Sequence, residues 1–322
     1  MATLLAADIG GTKTLIQLQT VEGEVVFHQE FASSDFASFD DLLGDFLRQL
    51  APENLPISSA CLAIAGPVAN GHANVTNLPW QISADALCRD FDLQQVLLIN
   101  DFAAVGEGIA CLTDDDLLVL QEAEPDSAAP RAVIGAGTGL GQAFLTPQAD
   151  GWQVWATEGG HCDFAPNNAT QQQLLTWLFS QYQHVSYERL VSGMGLEAIY
   201  QFIAQQTGSE VIHLSASEVS LRAQQGEHLA EQALQLFIDI YGAQAGNLAL
   251  TVMPRGGLYL AGGIAAKNQT AFVDGRFMQA FLAKGRMQSL LTSIPVYLIK
   301  ATDVGLRGAA LLAQKALYNN SL

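Results

Sequence analysis

The sequence predicts an α/β protein of two domains built on a repeated plan, and three observations predict it. Residues 4–18 run as an apolar strand, a tight Gly-Gly turn and a second, alternating strand. The same plan returns about 125 residues later, over 132–145, as a weak internal repeat. Between the two, short strands and helices alternate, and the bulky aliphatics of 96–99 read as a buried strand that ends abruptly in Asn100-Asp101. With 322 residues there is enough chain for two domains and a large core.

In the first hairpin, Gly10 and Gly11 permit backbone angles closed to other residues and let amide N–H groups approach an anion. Gly10, Gly11 and Thr12 therefore read as a phosphate loop, against the plainer alternative of a hairpin with a Gly-rich turn. Asp8, just before the turn, suits a magnesium ion held directly or through water, because hard cations take oxygen ligands and often keep their waters. A helix follows from about Ser83, with Ala84, Leu87 and Phe91 on its inner face. Asn100 and Asp101 then stand at the carboxyl end of their strand, where open α/β sheets bind ligands. A carboxylate there should face a cleft and accept a proton from a substrate alcohol; the alternative is that the pair simply caps the next helix.

Residues 122–130, rich in Ala, Pro, Asp and Glu, read as a loop near the passage into the second domain. The second hairpin carries Gly135, Gly137, Thr138, Gly139 and Gly141. This approaches a dinucleotide fingerprint, but strand-like residues and Pro147 follow, so no helix opens at the glycines as that fingerprint requires. The Walker string is also absent. Two hairpin loops gripping phosphates, one from each half of a duplicated fold, account for the pattern better. Beyond them, Glu158, His161 and Glu188 combine carboxylates with an imidazole beside Gly159-Gly160, a set that suits the vicinal hydroxyls of a polyol.

Helices then dominate. One starts at Thr170 and carries Leu174, Leu175, Leu178 and Phe179, and Ser215 with Glu218 makes a capping-box pattern for another. Residues 229–252 read as a long helix with Gly242 and Gly246 spaced for a close backbone neighbour, ended by Pro254. Asp303 is expected to cap the last helix, with Leu306, Ala310, Leu311 and Leu317 buried.

Composition points the same way. Fourteen Lys plus Arg against 32 Asp plus Glu give a formal net charge of -18, which repels nucleic acid and anionic membranes. The first strand starts almost at Met1, and no leader pattern or apolar run of membrane-spanning length is present. Few, scattered cysteines suit a reducing compartment, so a cytoplasmic location is expected.

These motifs together resemble the ATP-dependent, non-ROK group of bacterial glucokinases, within the superfamily of sugar kinases, heat-shock ATPases and actin. The resemblance rests on the order and spacing of Asp8-Ile9-Gly10-Gly11-Thr12, Ile64-Ala65-Gly66-Pro67, Asn77-Leu78-Pro79-Trp80, Asn100-Asp101-Phe102, the glycine string from Gly135 to Gly141, Glu158-Gly159-Gly160-His161, Ser192-Gly193 and Ala261-Gly262-Gly263-Ile264. It implies a two-domain actin-like (ribonuclease H-like) ATPase fold with a cleft between a small α/β domain (1–110 plus 303–322) and a larger α+β domain (111–302). By the same resemblance Asp101 is the base toward the sugar 6-hydroxyl, and Asn100, Glu158, His161 and Glu188 are further sugar contacts. Gly10–Thr12 and Gly137–Gly139 would be the two phosphate loops, and Gly262 and Gly263 part of the adenosine motif. The implied partners are glucose, ATP and Mg2+ in a cytoplasmic homodimer. A related hexose or acylamino-sugar kinase and a non-catalytic sugar sensor on the same fold are the alternatives, and an intact Asp101 speaks against the sensor.

ROK-group proteins share the Asp-Ile-Gly-Gly-Thr-Lys start, Lys13 included, but carry a Cys-rich zinc loop after their Gly-His pair. Here Cys162-Asp163-Phe164-Ala165-Pro166 follows His161, and Cys61, Cys88, Cys111 and Cys162 show no C-x-C or C-x-x-C spacing. Cys162, beside an expected sugar contact, is where a free thiol would confer sensitivity to thiol reagents. The purified protein is expected to contain no stoichiometric zinc by elemental analysis and to keep its fold in a zinc-selective chelator; one tightly held zinc per chain would overturn the group assignment.

Overall fold

The computed structural model describes residues 3–51, 57–149 and 151–319. The chain divides into two compact units, Met1–Thr113 with Asp303–Leu322, and Asp114–Thr302.

In the first unit β1 (Thr3–Ile9) and β2 (Lys13–Thr20) form the Gly-turn hairpin, and β3 (Val25–Ala32) extends it. After α1 (Phe39–Arg48), β4 (Ile57–Ile64) lies parallel to β1. The short strands β5 (Val68–Ala69), β6 (His72–Asn74) and β7 (Gln81–Ser83) make a small sheet of their own. Then come α2 (Ala84–Asp90), β8 (Val96–Asn100) parallel to β4, and α3 (Asp101–Gly108). The main sheet has the order β3-β2-β1-β4-β8.

Alternation along β1 splits its side chains between two cores. Leu5, Ala7 and Ile9 pack with Phe39, Leu42 and Phe46 of α1, while Leu4 and Ala6 pack with Ala104 of α3 and the last helix. A strand buried on both faces reads as an unbroken apolar run, which is what residues 4–7 show. The α2 helix begins just after Ser83, whose hydroxyl accepts the Ala86 N–H; Leu87 is buried as expected, while Ala84 and Phe91 are half-buried and Phe91 lies just past the helix end.

The second unit repeats the plan and enlarges it. It opens with β9 (Leu117–Gln121), then the hairpin β10 (Arg131–Ala136) and β11 (Leu140–Gln148), with β12 (Gly151–Thr157) beside β11. Helices α4 (Ala169–Phe179), α5 (Gly193–Gln206), α6 (Ala216–Gln224) and α7 (His228–Val252) follow, then β13 (Leu258–Ala261) parallel to β10. Four short helices come next: α8 (Gly263–Lys267), α9 (Gln269–Phe272), α10 (Arg276–Leu282) and α11 (Gln288–Leu291). The unit ends in β14 (Val296–Ile299), and the chain returns to the first unit as α12 (Val304–Asn319). The sheet order β12-β11-β10-β13-β14 matches that of the first unit strand for strand, with β9 added at the far edge. Residues 122–130 are indeed a loop, but β9 precedes them and already pairs with β14, so the passage between units falls earlier, at Thr113–Asp114.

The helices stand where expected, with differences in which side chains they bury. Ser215 and Glu218 complete a capping box, and α7 ends at Met253 in a left-handed conformation just before Pro254. In α4, Asn168 is the cap, Leu174 and Leu178 are buried, and Phe179 at the last position is exposed. In α12, Leu306 and Ala310 are buried as expected, while Leu311 and Leu317 are half-buried, and Ala309, Ala313 and Ala316 complete the buried face at helical spacing. Asp303 precedes α12, its carbonyl accepting the Arg307 N–H and its carboxylate pairing with the Arg307 guanidinium at 3.0 Å.

Glycine sets how closely helices approach. A Cβ on Gly242 or Gly246 of α7 would run into the carbonyl oxygens of Phe277 or Phe281 in α10. Likewise a Cβ on Gly308 of α12 would meet the Ala104 carbonyl of α3 and come within 2.7 Å of the Gly108 nitrogen. Gly44, inside α1, would place a Cβ at ordinary contact, 3.5 Å from Arg48 and 3.6 Å from Phe91. The same substitution should therefore act in opposite directions. Gly308→Ala is expected to cost about 1–3 kcal/mol by overpacking, whereas Gly44→Ala should stabilise by up to about 1 kcal/mol by removing backbone freedom from the unfolded chain. Denaturant unfolding of the two variants checks the signs.

Candidate active site

In the first unit, Ile9 pairs with Ile64 and Ile64 with Asn100. The carboxyl ends of β1, β4 and β8 therefore form one edge, with Asp8–Thr12, Gly66 and Asn100-Asp101 along it. The glycine loop is held at several points. The Gly10 N–H donates to the Lys13 carbonyl at 3.0 Å, the Ser33 hydroxyl donates to the Gly10 carbonyl at 2.8 Å, and the Ser33 N–H donates to the Thr12 carbonyl at 3.1 Å. A Cβ on Gly11 would stand 3.1 Å from the Thr76 carbonyl, tighter than ordinary contact, while Thr12 is exposed.

Asp8 points to the α12 face of β1. A Cβ on Gly305, in the first turn of α12, would lie 3.0 Å from its Oδ2. Desolvation pushes the Asp8 carboxyl up from its ordinary 3.8 to about 6, against the opposing pull of the Lys13 ammonium. That ammonium is itself engaged with Glu30 at 3.0 Å on the surface.

Asn100 and Asp101 stand at the start of α3, and the capping role open to them from sequence is the one their contacts show. Asn100 is the cap of α3: its Oδ1 accepts the Phe102 N–H at 2.9 Å and the Ala103 N–H at 3.2 Å, and its Nδ2 is directed at the Gly66 carbonyl at 3.5 Å. The oxygen is committed to the helix, so the amide nitrogen is the part of Asn100 that remains to meet a ligand oxygen. Asp101 is the first residue of α3, half-buried, and its Oδ1 accepts the Phe102 N–H at 2.9 Å. The carboxylate is thus oriented at the positive end of the helix, at the edge that carries the glycine loop.

In the second unit the corresponding edge lies at the ends of β10 and β13, where Gly135 pairs with Ala261. The loop Gly137, Thr138, Gly139 closes with the Gly137 N–H on the Gly139 carbonyl at 2.9 Å, and the Gly193 N–H at the start of α5 donates to the Gly137 carbonyl at 2.8 Å. Gly262 has φ +89, and a Cβ there would collide with the Ala136 carbonyl. Gly263 lies in open space, so this junction permits close approach by a ligand.

Glu158, His161 and Glu188 cluster beside this loop. The His161 ring stands between the two carboxylates, its Nε2 3.7 Å from Glu158 Oε2 and its Nδ1 3.8 Å from Glu188 Oε1. Both separations exceed hydrogen-bond length, which leaves donors and acceptors to be met by a polar ligand. Glu158 is exposed and Glu188 half-buried. The two segments are joined by backbone bonds from the Tyr187 N–H to the Cys162 carbonyl at 3.0 Å and from the Phe164 N–H to the Val185 carbonyl at 2.9 Å. Cys162 itself is exposed, while burial pushes the Cys61 thiol up to about 12.

Three residues here carried no role in the sequence reading. Ser33 ties down the first loop from the end of β3, and only a long-range contact reveals it. Ser192 caps α5 through the Gly195 N–H at 3.1 Å. Gln142, 2 % exposed in β11, lies under the Glu158-Gly159 turn, with its Nε2 lacking a hydrogen-bond partner among the described residues. A glutamine at an inward position of an apolar strand was its visible signal.

The model of the Glucokinase family matches residues 5–316. A glucokinase of Nostoc sp. is 44% identical, over 98% of this chain and 100% of its own length. The crystal structure of a glucokinase from an Antarctic psychrotroph superposes with a TM-score of 0.82 at 33% identity, covering 98% of this chain and 99% of that one. That of Balamuthia mandrillaris glucokinase in complex with glucose gives a TM-score of 0.84 at 23% identity, covering 97% and 94%, a likeness of fold. With the duplicated sheet plan and two glycine hairpins at its strand ends, the chain has the actin-like ATPase fold and belongs to the glucokinase family.

Proposed function

We propose that this chain transfers the γ-phosphoryl group of ATP to the 6-hydroxyl of glucose, giving glucose 6-phosphate and ADP. The observation that carries the reading is Asp101, a carboxylate oriented at the head of α3 on the strand edge that also holds the first glycine loop. Phosphoryl transfer needs little covalent work from the protein; in-line positioning and charge stabilisation supply most of the acceleration. Asp101 orients the 6-hydroxyl and accepts its proton as the new bond to phosphorus forms. Asn100 offers its amide nitrogen to a sugar oxygen, and Glu158, His161 and Glu188 meet the remaining hydroxyls as mixed donors and acceptors. Amides of Gly11, Thr12, Thr138 and Gly139 cradle the phosphates, while the N–H groups of Gly10 and Gly137 close their own loops on Lys13 and Gly139, and Gly262 and Gly263 leave room for the adenosine. The setting is a cytoplasmic homodimer acting at the first step of glycolysis. Among the described residues no helix is long and apolar enough to cross a membrane.

Asp8 fits a magnesium ion shared with the nucleotide. No cluster of three or more acidic, His or Cys side chains stands ready to cage a metal among the described residues. One carboxylate supplemented by phosphate oxygens and waters is the usual arrangement for this ion. When bound there, magnesium neutralises charge on the phosphates. Asp8 itself supplies an oxygen or orients a ligating water.

Two predictions follow from these carboxylates. Between about pH 4 and about 6, folded Asp8 holds a proton that the unfolded chain has lost, so its contribution to stability falls as pH rises through that window and stays low above it. In magnesium-free buffer Asp8→Asn is expected to melt above wild type at about pH 7.5, with the gap closing below about pH 4, while its kinase activity is lost. Thermal unfolding across pH tests this, and an Asn variant that melts lower near neutrality would show that the carboxylate stabilises the fold.

The second concerns the base. Asp101→Asn keeps shape and the Phe102 bond but cannot take a proton, so glucose affinity should survive while turnover falls by about 10²–10⁴-fold. Steady-state kinetics with equilibrium glucose titration measures both; near wild-type turnover would remove Asp101 from the role.

A further inference from the structure

Glu188 is bonded in two directions. Its Oε2 accepts the Leu140 N–H at 2.9 Å, at the exit of the second glycine loop, and a Cβ on Gly139 would fall on the same oxygen. Its Oε1 faces the His161 ring at 3.8 Å, in the cluster read above as the sugar site. An ionised acceptor on a backbone N–H makes one of the stronger hydrogen bonds available to a loop. The other tie on that loop is the Gly193 N–H on the Gly137 carbonyl at 2.8 Å. The loop thus hangs between the carboxylate and the first turn of α5.

The backbone beneath Glu188 has little freedom to move. Tyr187 is buried, and its hydroxyl accepts from Asn247 Nδ2 at 3.0 Å. Asn247 in turn accepts from Lys284 Nζ at 2.6 Å, and burial holds the Lys284 amine below its usual range. The Tyr187 carbonyl accepts N–H groups from Leu190 at 3.0 Å and Val191 at 2.7 Å. With the main chain fixed, the remaining freedom of Glu188 lies in its side-chain torsions, and these move both oxygens together.

We infer that Glu188 positions the second glycine loop as well as meeting the sugar, so that a hydroxyl held at Oε1 steadies the loop held at Oε2. The inference rests on the reading of this chain as a sugar kinase. One carboxylate plane cannot be fixed by the sugar without also fixing the acceptor of Leu140. The coupling runs equally the other way, since a loop ordered by nucleotide phosphates presents Oε1 to the sugar in a set orientation.

The test is a coupling measurement: ADP affinity by calorimetry, without glucose and at saturating glucose, for wild type, Glu188→Ala, Glu188→Gln and His161→Ala. Glucose is expected to tighten ADP binding to wild type by about fivefold or more and to leave Glu188→Ala unchanged. Glu188→Gln, whose amide oxygen can still accept from Leu140, should keep part of the effect. His161→Ala should need more glucose but show the full effect once saturated. Hydrogen exchange of amides 137–141 gives a second readout, with glucose slowing exchange in wild type and failing to do so in Glu188→Ala, and it applies to Glu188→Gln should the alanine variant not fold. Wild-type tightening in Glu188→Ala, or equal loss in His161→Ala, would overturn the inference. A wild-type protein that neither binds nor phosphorylates glucose would instead overturn the functional reading on which it rests.

Discussion

In both units one strand is bonded antiparallel to its hairpin partner on one side and parallel to a later strand on the other: β1 between β2 and β4, β10 between β11 and β13. That pairing constrains everything around it. A hairpin strand ends at its turn, so the turn must lie at the same edge as the carboxyl ends of the parallel neighbours. Parallel neighbours in turn demand crossover connections, which bring helices onto the sheet. In the first unit those crossovers supply α1, α2 and the small sheet of β5 to β7, and the C-terminal α12 covers the opposite face. Glycine turns and strand-end polar residues are therefore gathered on one edge by topology, before any specific side-chain contact is counted.

What distinguishes that edge is the space left for backbone to be approached. A Cβ on Gly262 would collide with the Ala136 carbonyl, one on Gly139 would displace the Glu188 carboxylate, and one on Gly11 would press on the Thr76 carbonyl. The same economy of volume shapes the faces behind them. Gly308 and Gly108 let α12 lie backbone to backbone on α3, and this close seating brings Gly305 against Asp8. The carboxylate is desolvated as a result, which opposes its ionisation. A bound cation would reverse that penalty, so a residue unfavourable to the empty fold becomes favourable to the loaded one.

How much of this was legible in the sequence depended on whether its cause was local. The Asp8–Thr12 and Gly137–Gly139 turns, the Ser215 box and the glycines of α7 are fixed by neighbours within a few residues, and each could be read directly. Leu311 is expected inside from its size, but helical phase from Leu306 runs through Ala309, Ala310 and Ala313, which leaves Leu311 half-buried beside that stripe. The strand β9 pairs with β14 nearly the whole unit away, and so its place in the sheet could not be read from residues 117–130 alone. Ser33 on Gly10, Asn247 on Tyr187 and Glu188 on Leu140 are likewise contacts between distant segments, with no spacing or motif to announce them.

Asn100 shows how a capping side chain can keep a donor in reserve. A capping side chain uses an oxygen to accept the N–H groups of the first turn, and an aspartate would do this as well as an asparagine. An aspartate, however, would set a second carboxylate beside Asp101, and two adjacent acids resist being ionised together. Asparagine caps α3 without that repulsion and keeps an amide nitrogen, directed here toward the Gly66 carbonyl, as a donor. The pair Asn100-Asp101 is thus chemically asymmetric at the helix start itself: one side chain keeps an amide donor, the next is a carboxylate acceptor, and the α3 turn that both help to close fixes their order.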